Sequence, residues 1–167
     1  MNLSSGREST IGDDELWGSG CLVIGGYCRN TGDCFLAECP RNNRDKHTLT
    51  RLIKQYVQPG TIILTDKWKG YCSLSQHGYT HLSVNHSRGF VDPITGFHTN
   101  TCEGMWFHAK RHMQLGTGRS PSNSSNMAIA LSEFLWMKMQ NLTRTDPSIR
   151  QNFGKEIPEL MRRVFYV

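Results

Sequence analysis

Residues 61–71 read Thr61, Ile62, Ile63, Leu64, Thr65, Asp66, Lys67, Trp68, Lys69, Gly70, Tyr71. The first five are an apolar, β-branched run with Gly60 before it and Asp66 after it, the pattern of a short buried strand. Asp66 therefore stands at the carboxyl end of a strand, where ligands gather in open α/β sheets. Upstream, Leu49, Leu52, Ile53, Tyr56 and Val57 recur at helical spacing until Pro59 and Gly60 stop the pattern. Further upstream, residues 21–28 and 33–39 are β-prone runs joined by Arg29, Asn30, Thr31 and Gly32, which supply hairpin turn chemistry, and Pro40 ends the second run.

Downstream, residues 67–76 are expected to form a helix, 79–84 a strand and 85–99 a loop. A helix is expected from Asn100, with Glu103, Trp106, Phe107, Lys110 and Arg111 on one face, ended by Gly116 and Gly118. Met127, Leu131, Phe134, Leu135 and Lys138 mark another. The order of strands and helices gives a mixed α/β domain, with order expected to begin near Cys21. Residues 1–20 hold four serines, four glycines and the acidic cluster Asp13, Asp14 and Glu15, which reads as a tail. Residues 141–167 contain Pro147, Gly154 and Pro158 and receive no role in the fold.

The chain has 167 residues, the size of one domain, and its 19 Lys and Arg against 14 Asp and Glu leave a charge of +5. An anionic partner fits that balance, with nucleic acid ahead of a membrane surface. The longest apolar run is too short to cross a bilayer and the first ten residues carry no signal-peptide core, so an intracellular protein with free thiols is expected. No nucleotide cofactor is implied, because Gly25 and Gly26 lie within a strand rather than before a helix. Six of the seven histidines fall between His77 and His112. Their spacing does not make a zinc site, since Ala109 stands where a zincin helix with His108 and His112 needs its glutamate.

Two carboxylates stand out by position. Asp66 ends a strand and Glu103 opens a helix, and both are hard oxygen donors suited to a divalent cation. The local alternative is that Asp66 caps the helix beginning at Lys67 and Glu103 favours its own helix N-terminus. Basic residues gather around both: Arg41, Arg44, Lys46, Arg51, Lys54, Lys67 and Lys69 near the first, Lys110, Arg111 and Arg119 near the second. Phosphodiester chemistry needs this combination of cations that hold phosphates and carboxylates that hold metals. Cys102, beside Glu103, lacks the surroundings of a nucleophile.

The stretch 61–71 resembles the second-aspartate motif of the ISXO-like transposase domain, a DDE-superfamily group that includes Merlin elements and related bacterial insertion sequences. Gly78, Tyr79, Thr80, His81 and Leu82 are similar to its next segment, as are Val84, Asn85, His86 and Ser87, then Phe90, Val91, Asp92 and Pro93. The run His98, Thr99, Asn100, Thr101, Cys102, Glu103, Gly104, Met105, Trp106 follows in the same order. Gly25, Gly26, Tyr27, Cys28, Arg29 and Cys34, Phe35, Leu36 match upstream, and Glu133, Phe134, Leu135, Trp136 downstream. The resemblance spans roughly residues 21–140.

It implies an RNase H-like mixed sheet flanked by helices, and a metal-dependent enzyme that cleaves DNA and transfers the strand. Asp66 matches the second aspartate and Glu103 the glutamate, which together would hold Mg²⁺ or Mn²⁺. The partners implied are DNA at transposon ends and further copies of the chain, in a nucleus if the host is eukaryotic. Lys67, Lys69, Lys110 and Arg111 are candidates for holding phosphates.

The family's first aspartate lies on a strand roughly twenty residues before the Gly-Gly strand, and Asp14 is the nearest match, about ten residues closer. Asp13 is the second. Residues 9–16 are poor strand formers, so the first, central strand is expected to be truncated or missing. No zinc ribbon or helix-turn-helix is read ahead of the domain. The rival readings are a non-catalytic DNA-binding or interaction module derived from a transposase, and a general metal-dependent nuclease.

Overall fold

A computed structural model of the chain describes residues 7–15, 21–84, 98–117 and 124–140. Five strands form one sheet: β1 (Glu8–Glu15), β2 (Leu22–Cys28), β3 (Cys34–Glu38), β4 (Ile62–Asp66) and β5 (Thr80–Val84), in the order β3-β2-β1-β4-β5. β2 runs antiparallel to β1 and β3, and β4 runs parallel to β1 and β5. Three α-helices accompany it, α1 (Lys46–Tyr56), α2 (Asn100–Thr117) and α3 (Ser124–Met139). No helix among the described residues is long and apolar enough to cross a membrane.

β1 corrects the expectation that the first, central strand is truncated or missing, since Glu8–Glu15, within the stretch read as a tail, form that strand. It lies between the hairpin and β4, pairing through seven residues with β2 and from Glu8 to Thr10 with β4. The ladder extends one residue further back, where Ile62 N donates to Arg7 O at 2.9 Å. Ser9, Thr10 and Ile11 are buried completely or nearly so. Pairing with β2 outweighs the poor strand propensity of Gly12, Asp13 and Asp14, because β-propensity reflects context more than intrinsic preference.

The alternation of side chains along the strands builds two cores. Ile11, Ile24, Phe35 and Ile63 pack with Leu49, Leu52, Ile53 and Tyr56 of α1. Val23 and Leu36 pack with Cys102, Met105, Trp106 and Ala109 of α2 and with Leu131 and Phe134 of α3. α1 thus covers one face, and α2 with α3 the other. Asp45 caps α1 by accepting from Thr48 N at 2.8 Å, and Phe35 stacks on Tyr56 with ring centroids 4.7 Å apart.

The Gly-Gly pair of β2 is required by this packing. A Cβ on Gly25 would lie 2.7 Å from Leu36 Cδ2 and 2.9 Å from Trp106 Cζ2, and one on Gly26 would collide with the Phe35 ring. On one face Trp106 and Met105 of α2 therefore approach the β2 backbone closely, and on the other the Phe35 ring of β3 lies against it.

Residues 67–76 do not form the single helix expected of them. They make tight 3₁₀ turns at Lys69–Tyr71 and Leu74–His77. A Cβ on Gly70 would lie 2.7 Å from Leu49 Cδ1 and from Trp68 Nε1, so the chain presses against α1. Gly78, at φ 83°, then turns it into β5. The expected loop falls largely on residues 85–97, and the C-terminal segment on 141–167, both outside the described residues.

Candidate metal centre and nucleic-acid interface

Asp66 is exposed at the carboxyl end of β4. Its Oδ1 accepts from Trp68 N at 2.9 Å, a local turn contact; the helix expected from Lys67 for it to cap is absent, and the 3₁₀ turn at Lys69–Tyr71 has no side-chain cap. Thr65 beneath it is buried; its hydroxyl lies 2.6 Å from Asp66 O and 2.8 Å from His81 Nε2 of β5. Burial pushes the His81 pKa below its ordinary value, which favours the neutral imidazole. Lys67 and Lys69 are exposed on either side of Trp68, and the Arg44 guanidinium lies 4.4 Å above the Trp68 ring centroid.

Glu103 is exposed in the first turn of α2. The buried Thr99 precedes that turn: its carbonyl accepts from Cys102 N and Glu103 N, and its hydroxyl donates to Glu103 Oε1 at 3.0 Å. The start of the helix is anchored to the sheet through Arg29, at the end of β2. Its guanidinium pairs with Glu8 on β1, donates to His98 O and lies 3.1 Å from His98 Nδ1. Cys102 Sγ sits 3.7 Å from Gly25 O, and burial pushes its thiol up to about 12, which keeps it protonated and unreactive.

Lys110 and Arg111 follow Glu103 by seven and eight residues, about two turns along α2. Arg111 is exposed and Lys110 half-buried. His112, one of the clustered histidines, has its Nε2 3.8 Å from Glu133 Oε2 and its ring against Phe134, so it joins α2 to α3.

The third carboxylate is a question of register. The β1–β4 ladder pairs Glu8 with Ile62, Ser9 with Ile63 and Thr10 with Leu64. Continued by two residues, it brings Gly12 level with Asp66. A Cβ on Gly12 would lie 3.7 Å from Cys102 Sγ and 3.6 Å from Trp106 Nε1, which sets this backbone beside the turn that carries Glu103. The β1 residue beside the Glu103 turn is therefore a glycine. Asp13 pairs with Ile24 and Asp14 with Val23, which puts Asp14 two residues past Gly12 and at the same strand parity. The side chains of residues 13–15 lie outside the described residues.

Among the described residues, no group of three or more His, Cys, Asp or Glu could hold a metal ion. Asp66 and Glu103 suit Mg²⁺ or Mn²⁺ in kind, as hard oxygen donors, but the described residues add no third ligand to them. The sequence reading missed Thr99, Arg29 with Glu8 and His98, and the level of Gly12. Only the Thr99–Glu103 spacing of four residues carried a local signal for any of these.

The sheet of order β3-β2-β1-β4-β5, flanked by helices, belongs to a fold found in a solved structure of low sequence similarity. The magnesium complex of the HTLV-2 integrase catalytic core domain, in its trimeric form, aligns with a TM-score of 0.53 at 12% identity, over 89% of this chain and 94% of that one. The fold is therefore RNase H-like. An uncharacterized transposase-like protein of Haemophilus influenzae is 33% identical over 76 residues, 46% of this chain. The match spans 60% of that relative's length. The model of the ISXO2-like transposase domain matches residues 22–137, from the start of β2 into the end of α3. With the fold, the strand-end aspartate and the helix-borne glutamate in the expected chain order, the protein belongs to the ISXO2-like transposase domain family.

Proposed function

We propose that this chain is a DDE-type transposase domain that cleaves DNA and transfers the cut strand, with Asp66 and Glu103 as its metal-holding carboxylates. The observation that carries the reading is the convergence of two elements on β1. β4, parallel to β1 as far as the Thr10–Leu64 pair, ends two residues later in Asp66, and the turn of α2 bearing Glu103 packs beside Gly12, two residues past Thr10. A divalent cation bound there supplies Lewis acidity, activating the attacking oxygen and stabilising the leaving one. Trp68 N and the Thr99 hydroxyl each fix one carboxylate oxygen, which limits the reorganisation these side chains undergo. In this reading Lys67, Lys69, Lys110 and Arg111 hold phosphates; the exposure of Lys67, Lys69 and Arg111 supports that role. Asp14 is the nearest candidate for the third ligand. The same reading includes assembly of more than one copy; the similar integrase core is described in a trimeric form.

A second reading, a DNA-binding module without cleavage, is favoured by Gly12 itself, since that β1 position offers no carboxylate. The test is cleavage and strand transfer on a short DNA duplex with Mg²⁺ or Mn²⁺, beside calorimetric Mn²⁺ binding. Asp66→Asn and Glu103→Gln should each lower activity at least ~100-fold and weaken Mn²⁺ binding while the fold persists. Full activity in either variant rejects the site. A folded, inactive wild-type chain that binds DNA in a salt-sensitive way supports the module instead.

A further inference from the structure

On the sheet face opposite α2, a cavity of about 360 Å³ opens between α1 and the 3₁₀ turn at Leu74–His77. Lys46, His47, Arg51 and Lys54 line it from the helix and His77 from the turn. At its base the buried hydroxyls of Thr50 and Ser73 lie 3.0 Å apart and bond to each other. Lys46, Arg51 and Lys54 are exposed, and among the described residues none of them forms an ion pair. The acid closest to them in sequence, Asp45, is engaged as the α1 cap, and its hydrogen bonds with Thr48 and Asn43 hold its carboxyl below the usual range.

A solvated basic helix face would need no concave partner. Here two separate chain segments bring cations and hydroxyls around one space, which is the chemistry that receives phosphate oxygens. The segment after Asp66 packs against the same helix. Arg44, just ahead of α1, stacks on Trp68, and Gly70 presses against Leu49. From Lys46 to Lys54 the helix rises about 12 Å, which matches three to four phosphates along one strand at ~3.4 Å of axial rise each.

We infer that the α1 groove is a docking site for the sugar–phosphate backbone of the duplex flanking the reacting strand, bound without regard to sequence. The inference rests on the DNA-directed reading above but not on metal chemistry, so binding is measured in EDTA. The probe is a 30-base-pair duplex, titrated with the full chain at several salt concentrations.

The triple variant Lys46→Ala, Arg51→Ala, Lys54→Ala should bind at least ~10-fold more weakly at 0.1 M salt. Its slope of log affinity against log salt should be shallower by about 2 to 3, since each phosphate contact adds about 0.9. The charge-keeping variant Lys46→Arg, Lys54→Arg should retain the wild-type slope. An unchanged slope and affinity in the triple variant overturns the inference, as does a wild-type chain that binds no duplex. Inorganic phosphate that binds wild-type chain but not the triple variant, with equal DNA slopes for the two, marks a small-anion site and also overturns it. Failure of Asp66→Asn to affect cleavage, with the slope change intact, rejects the catalytic reading and leaves the groove standing.

Discussion

β1 and β4 lie side by side and run the same way, yet they are built from opposite materials. β4 is Ile62, Ile63, Leu64, Thr65 and Asp66, a run that specifies a buried strand wherever it is placed. β1 is Glu8, Ser9, Thr10, Ile11, Gly12, Asp13, Asp14 and Glu15, with one large apolar residue in eight. β1 nevertheless takes the centre of the sheet, and Ser9 and Thr10 are as fully buried as Ile63 and Leu64. A strand flanked on both sides by better strands draws its order from their unpaired backbone groups, which have no other partner once buried. The centre of this sheet is specified by its neighbours.

The sharpest way to break the comparison is to truncate the matching core residues, Ile11 on β1 and Ile63 on β4, which are 1% and 0% exposed. Ile11→Ala and Ile63→Ala should each cost about 2–5 kcal/mol in urea unfolding, through lost burial and the cavity left behind. If Ile11→Ala costs under about 1 kcal/mol while Ile63→Ala costs the full amount, β1 is not a central strand. Next in size is Gly26→Ala. It forces the Phe35 ring aside and should destabilise by about 1–3 kcal/mol through overpacking.

The pH dependence of stability tests the seam between β1 and α2. In the unfolded chain the Cys102 thiol loses its proton near 9.0, whereas burial holds it in the folded chain up to about 12. Above pH 9 the unfolded state therefore binds fewer protons, and stability that is complete below pH 9 falls by about 1.4 kcal/mol per pH unit. Denaturation at pH 8 and pH 10 should show Cys102→Ala losing less stability with alkali than the wild type. Equal losses would mean that the seam is open to water. The smallest effect belongs to Gly12→Ala, where the added methyl meets only ordinary contacts and should stabilise by about 0.5–1 kcal/mol. A destabilisation there would show that α2 sits closer to β1 than its contacts indicate.

The same contrast explains what could be read from the residues alone. The hairpin, α1, β4, β5 and both C-terminal helices carry their signals locally, in apolar spacing, Pro40, Pro59 and the Asn-Gly turn. Asp66 and Glu103 stood out because each sits at the end of such an element. β1 was illegible because Gly12, Asp13 and Asp14 are poor strand residues whose order comes from their pairing with β2. The level of Gly12 with Asp66 is a matter of register between strands more than fifty residues apart, which leaves no mark on either segment. Arg29 looked like part of the hairpin turn, and its partner His98 like part of a loop. The basic residues of α1 were visible as charges, but that they share a concave space with His77 depends on the 3₁₀ turns that replaced the expected helix.

The Arg29–His98 anchor also bears on the order in which the molecule assembles. It closes a chain segment of 69 residues, whereas the β2–β3 turn is closed by the bond from Cys28 N to Asp33 O, five residues apart. By polymer statistics the longer closure costs about 2 kcal/mol more entropy. That cost is recovered only after the sheet has formed a surface for α2 to meet. On that ordering Glu103 is expected to reach its place late in folding and to be among the first groups lost when the chain begins to open, so any activity of the proposed site would be lost before the sheet comes apart.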